Sequence, residues 1–188
     1  MKKIFFALAA FAAMTACVKD EQNPDALVPE KEPEIVYDYS KLVLNELCGA
    51  GEDNEKYWEL YNTGSQEIDL AGVFINKDEE LAWTGAKGQK IPAKGFFAIV
   101  GAKGTTPDGF SSGFSAKKSV LVELYAPDGK KLDTFQRGEK GSAWGDQGLD
   151  NNKGSWSRIP DGTGSFMITP NPTPGAANNG EGATIDYD

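Results

Sequence analysis

Trp144 stands in a long glycine-rich stretch, residues 136–154, with Asp146, Asp150, Asn151 and Asn152 close behind it. An indole in such a loop could stack on a sugar ring or on a partner side chain, with Asp146 and Asn151 hydrogen-bonding hydroxyls. Alternatively, Asp146, Asp150 and Asn152 could gather oxygens around Ca²⁺, but their spacing matches no known calcium loop, so no metal is assigned. A third option is that Trp144 folds back over the end of its domain and binds nothing. Residues 101–118 form a second stretch of this kind. Connections longer than about 12–15 residues are usually functional or disordered.

Catalytic groups are scarce. The chain has no His, which removes the commonest general base, the usual hydrolase triads and most zinc sites. No phosphate-binding glycine loop ending in Lys-Ser/Thr occurs, and no Gly-x-Ser-x-Gly elbow. Paired carboxylates can hydrolyse glycosides, but nothing in the chain signals a deep cleft. The expectation is a binding protein rather than an enzyme, without a cofactor.

The one covalent chemistry that the ends suggest belongs to Cys17. Met1-Lys2-Lys3 is a positive start, Ile4 to Ala13 is apolar, and small residues lead to Cys17. That is the pattern of a secretory leader, residues 1–16. It falls short of the ~20 residues that span a bilayer as a helix. Its end resembles a bacterial lipoprotein box, with Met14 where Leu is usual. The resemblance implies that the Cys17 thiol takes diacylglycerol and that the cleaved amine is acylated, since stable anchoring needs more than one chain. The alternative is an ordinary leader and a soluble secreted protein. Lipidation would consume Cys17 and leave Cys48 without a disulfide partner, as a buried small hydrophobe rather than a reactive thiol.

Residues 17–40 read as the lipidated Cys and a tether. Positions 18–40 hold three prolines, seven acids and two lysines, too little apolar surface to offset ordering. The start, Lys19-Asp20-Glu21, is similar to the Lys-plus-acids signal that sends some Bacteroidetes lipoproteins to the outer face of the outer membrane. The periplasmic face is the alternative. The chain carries −9; loss of Lys2 and Lys3 with the leader leaves 17 basic against 28 acidic residues, or −11. Such a surface repels phosphate backbones, so nucleic acid is not an expected partner.

Short strands must position whatever these groups do. From Lys41 onward, apolar runs of strand length alternate with Gly, Pro, Asn and Asp. The clearest are Leu42–Leu44, Tyr57–Tyr61, Phe96–Val100 and Val120–Tyr125. Val120, Val122 and Leu124 alternate with Leu121, Glu123 and Tyr125, which gives that strand one inner face. Pro127-Asp128-Gly129 predicts a turn into a return strand carrying Leu132 and Phe135. Many short strands with regular turns predict an all-β sandwich or barrel.

The pieces Leu44-Asn45-Glu46, Trp58-Glu59-Leu60-Tyr61-Asn62, Ile68-Asp69-Leu70-Ala71-Gly72 and Ile91-Pro92-Ala93-Lys94-Gly95 occur in order. Asp128-Gly129, Ser155-Trp156-Ser157-Arg158, Pro160-Asp161-Gly162 and Thr173-Pro174-Gly175-Ala176-Ala177-Asn178 follow. Together they resemble the lamin tail domain, an immunoglobulin-like β-sandwich known from nuclear lamins and bacterial exported proteins. The resemblance implies a domain over 41–178, with 179–188 as a flexible acidic tail. Trp58 and Leu60 would point inward and Glu59 to the opposite face. Asn62-Thr63-Gly64 would close that strand through a residue that tolerates positive φ. Glu46, Glu59 and Arg158 are charged family positions, expected to form a structural ion pair between strands rather than an acid–base site. The expected function is display of a glycan- or protein-binding module on a membrane anchor; the alternative is a passive structural or envelope-assembly lipoprotein.

Overall fold

The computed structural model describes residues 35–48, 56–101, 120–137 and 154–185. The chain divides into a unit of Met1–Ile35 and a unit of Val36–Asp188, and the described fold belongs to the second. Cys17, Trp144, Asp146 and Asn151 lie outside the described residues. No helix among those described is long and apolar enough to cross a membrane.

The fold is an immunoglobulin-like β-sandwich. A 3-10 turn, Tyr39–Lys41, leads into β1 (Leu42–Cys48) and β2 (Lys56–Asn62); β3 (Ile68–Asp69), β4 (Phe74–Lys77), β5 (Glu80–Thr84), β6 (Lys90–Ile91) and β7 (Phe96–Gly101) follow. After them come β8 (Val120–Tyr125), β9 (Lys131–Arg137), β10 (Ser155–Ile159), β11 (Ser165–Thr169) and β12 (Thr184–Ile185). One sheet runs β12-β11-β10-β1-β2-β7, the other β5-β4-β8-β9, and β3 with β6 makes a small third pair. All pairings are antiparallel.

Period-two patterning explains the inner faces. In β8 the residues alternate between buried and half-buried, with Val120, Val122 and Leu124 inside. From the six-stranded sheet, Leu44, Leu47, Trp58, Leu60 and Trp156 enter the same core, all fully buried. Aromatic pairs join the two sheets at separate places, Trp83 with Phe97 at 6.3 Å and Phe135 with Trp156 at 5.5 Å between ring centroids. The Pro127-Asp128-Gly129 turn forms as predicted: Gly129 has φ +84° and its N–H donates to Ala126 O at 2.9 Å.

The structure departs from the sequence reading at several points. Tyr37 and Tyr39, placed in the tether, pack against the core. Thr184 and Ile185, placed in a flexible tail, pair with Ile168 and Met167 as β12. Gly64 does not adopt positive φ; the strand closes because its N–H donates to the Asn62 side chain at 2.8 Å. Glu59 does lie between inward-facing Trp58 and Leu60, but it too is fully buried. The outer face of β1 and β2 is therefore a second interior, and it is polar.

Candidate functional site

A bulge makes this site possible. β1 and β2 pair in register through Leu44 opposite Leu60, then resume with Glu46 opposite Glu59. Asn45 is the extra residue. The added residue bends the strand and re-aims its side chains, so Glu46 faces Glu59 on the outer side while Leu47 and Trp58 return to the core. Asn45, Glu46 and Glu59 all have zero exposure.

Buried charged or polar groups need partners, and the C-terminal quarter of the chain supplies them. Ser157 Oγ donates to Glu46 Oε1 at 3.0 Å, and Ser155 Oγ donates to the same oxygen. Ser155, Ser157 and Thr169 close a ring of hydroxyls 2.8–3.0 Å apart. Thr173 N–H donates to both Glu46 oxygens at 3.2 Å. Thr173 Oγ1 lies 3.1 Å from Glu46 Oε2 and 3.1 Å from Asn178 Oδ1. Glu59 accepts from Asn45 Nδ2 at 3.0 Å and from Gly175 N–H at 2.6 Å. Asn45 Nδ2 also reaches Asp161 Oδ1 at 3.0 Å, while Asn45 Oδ1 accepts from Gly162 N–H at 2.9 Å. Asn178 completes the set, donating from Nδ2 to Asn45 O and Arg158 O and from its N–H to Asp161.

Gly175 can approach Glu59 because Thr173-Pro174-Gly175-Ala176 makes a turn. Gly175 has φ +78°, and Ala176 N–H donates back to Thr173 O at 3.0 Å. Pro174 followed by a positive-φ glycine is the chemistry of a type II turn. The turn is seated on the sheet.

Arg158 does not pair with Glu46 or Glu59, which corrects the expected ion pair. Its partner is Asp133 on β9, with Nη2 2.9 Å and 3.1 Å from the two carboxylate oxygens. Strand parity explains the difference. Ser157 is Glu46's cross-strand neighbour, so Arg158 points to the other side of β10, towards the second sheet. β10 pairs with β1 only at Glu46 and Leu47. The Leu44 backbone, beyond that pairing, is capped by the ion pair: its carbonyl accepts from Arg158 Nε at 2.7 Å, and its N–H donates to Asp133 at 2.9 Å. Arg158 Nη1 donates to Gly164 O at 3.0 Å, and the guanidinium lies 4.3 Å from the Phe166 ring centroid. Arg158→Lys keeps the charge but cannot reproduce this fork. The variant should lose about 2–3 kcal/mol, read as a lower urea midpoint at unchanged slope.

Burial first, and the nearby Glu46 and Asp161 charges after it, push the Glu59 pKa up to about 8 against the Asn45 and Gly175 hydrogen bonds. Tyr57, buried beside them, has its phenol pushed up by burial and then by Glu46. Cys48 is fully buried and its Sγ lies 3.5 Å from Gly154 O, in keeping with the packing role expected of it. Among the described residues no group of three His, Cys, Asp or Glu side chains is arranged to hold a metal. A recess of about 90 Å³ between Asp38, Lys41, Asn62 and Glu67 is lined by side chains that are largely at the surface.

The sequence reading named Glu46, Glu59 and Arg158 but missed Asn45, Asp133, Asp161, Thr173 and Asn178 as their partners. Four of these five stand in the motif pieces already quoted, and their place in those pieces was the available signal. Asp133 carried none. The structure brings together pieces more than 100 residues apart, and what they do there is hold the chain's last strands and turn onto the sheet.

A family model for the lamin tail domain matches residues 36–139. A search of curated proteins finds no match. The matched segment covers the strands through β9, and β10 and β11 then pair directly into the same sheet beside β1. The chain belongs to the lamin tail domain family.

Proposed function

We propose that this protein is an exported lipoprotein, anchored through lipid on Cys17, that displays a non-catalytic binding module for a glycan or protein on the outer surface of the cell. The observation that carries the non-catalytic part is the fate of the charged family positions. Glu46 and Glu59 are wholly buried and Arg158 is engaged with Asp133, so their hydrogen-bonding capacity goes into the fold. The anchored part rests on the leader, on Cys17 and on the acidic tether. The ligand-binding part rests on the glycine-rich sequence that follows β9 and carries Trp144, Asp146 and Asn151, since an aromatic with polar sequence neighbours suits a sugar ring.

Cys17→Ser should abolish metabolic labelling by fatty acid and release the domain from membranes. Labelled, membrane-bound Cys17→Ser protein would overturn the anchor. Protease added to intact cells should degrade the wild type, and resistance would place the domain on the periplasmic face. A glycan array probed with the chain tests the ligand; a blank array excludes the glycan reading.

A further inference from the structure

We propose that the Thr173–Asn178 segment is a proton-gated latch, seated on the outer face of the six-stranded sheet while the Glu46–Glu59 pair holds a proton and released when that proton leaves. The proposal rests on the fold and is independent of the ligand.

The geometry supplies both the lock and the strain. Glu46 and Glu59 are direct cross-strand partners with no exposure to water. Directly opposed like charges destabilise a sheet, and buried pairs of carboxylates resist double ionisation. The latch touches both of them: Thr173 N–H and hydroxyl lie on Glu46, and Gly175 N–H on Glu59. Glu59 faces Glu46 from β1, Asp161 from the turn after β10, and Tyr57 from its own strand. From β7 it faces Ala98, and residues 173–178 bring no charged side chain. Among the described residues, the groups that hydrogen-bond the pair are hydroxyls, amides and backbone N–H groups, with no Lys or Arg. Among the described residues, no cation is bonded to the pair to offset a second negative charge.

The direction of the pH effect follows from linkage. Seated, Glu59 holds its proton up to about pH 8; once the latch lifts, water returns it towards the ordinary value of 4.5. Between these limits the seated form carries a proton that the lifted form lacks, so opening gains about tenfold per unit of pH rise. Below the range both forms are protonated and the latch is tightest. Above it both are ionised and the effect levels off. Lifting uncovers Glu46, Glu59 and the Ser155–Ser157–Thr169 hydroxyl ring.

Amide exchange on the full chain from pH 4 to 9, expressed relative to the intrinsic rate at each pH, tests this. Protection at Thr173, Gly175 and Asn178 should fall about tenfold per unit between pH 5 and 8 and then level. The Leu47 and Trp58 amides should stay better protected at pH 8. Glu59→Gln, which cannot ionise, should flatten the profile. Protection equal to that of Leu47 and Trp58 at every pH, or an unchanged slope in Glu59→Gln, would overturn the proposal. Should Glu59→Gln not fold, the Glu59 carboxyl carbon in the wild type decides by NMR titration: a midpoint near 8 supports the latch, and one near 4.5 overturns it.

Discussion

A chain that ends after Lys140 should fail to fold, although it contains the whole family match. Such a chain keeps β1 to β9 but loses Trp156 and Ile168 from the core. Truncating one packed Trp costs about 3–5 kcal/mol, against a total stability of about 5–15 kcal/mol for a domain. It also strips β1 of its outer neighbour and removes every donor that Glu46 takes from Ser155, Ser157 and Thr173. Two buried carboxylates would then face water across an unpaired edge. Circular dichroism and proton NMR of residues 36–140 beside 36–185 would show it: a dispersed spectrum for the longer chain and a collapsed one for the shorter. Cooperative unfolding of the short chain would mean that the last three strands are an accessory.

Glu46→Ala should be the most damaging single change among Glu46, Glu59 and Arg158. Serine hydroxyls can turn to each other and to Thr169, but among the described residues Thr173 N–H has no acceptor besides Glu46. Orphaned buried donors cost about 1–3 kcal/mol each, and the space left by the side chain adds to that. A total above about 3 kcal/mol is expected, which belongs to the tail of single-mutant effects. Urea unfolding at pH 5 measures it. The same substitution also removes a charge that raises the Glu59 pKa, so the Glu59 carboxyl should titrate lower in this variant than in the wild type. A loss below about 1 kcal/mol would mean that Glu46 is not the hub of the cluster.

The strands and their inner faces were legible because burial imposes a period of two. Val120, Val122 and Leu124 declare a face without any knowledge of what lies opposite, and so do Trp58 and Leu60. The fold class and the family followed from pieces in order. What remained hidden was the outer face. Nothing in the spacing of Glu59 between two apolar residues distinguishes a solvated carboxylate from one covered by a turn 116 positions away. The Arg158 partner was hidden for a related reason. Three charges of complementary sign suggest a pair, but Ser157 opposite Glu46 commits Arg158 to the other side of β10, and Asp133 lies in a strand whose register only the fold defines. Given that register, parity excludes Glu46 as partner, and the sheet arrangement nominates Asp133. β12 escaped because two residues in an acidic end carry no periodicity, and they are ordered by pairing with Met167 and Ile168.

Glu46 and Glu59 hold the chain's end onto the sheet. The amide protons of Thr173 and Gly175 in the wild-type chain at pH 5 test it most directly, because both donate to the buried carboxylates. An external turn would exchange near the rate of an unstructured peptide. A turn locked on Glu46 and Glu59 should exchange at least about a thousandfold more slowly, an opening free energy on the order of 4 kcal/mol. Protection of that size is the predicted result; exchange within about tenfold of the unstructured rate would contradict the account.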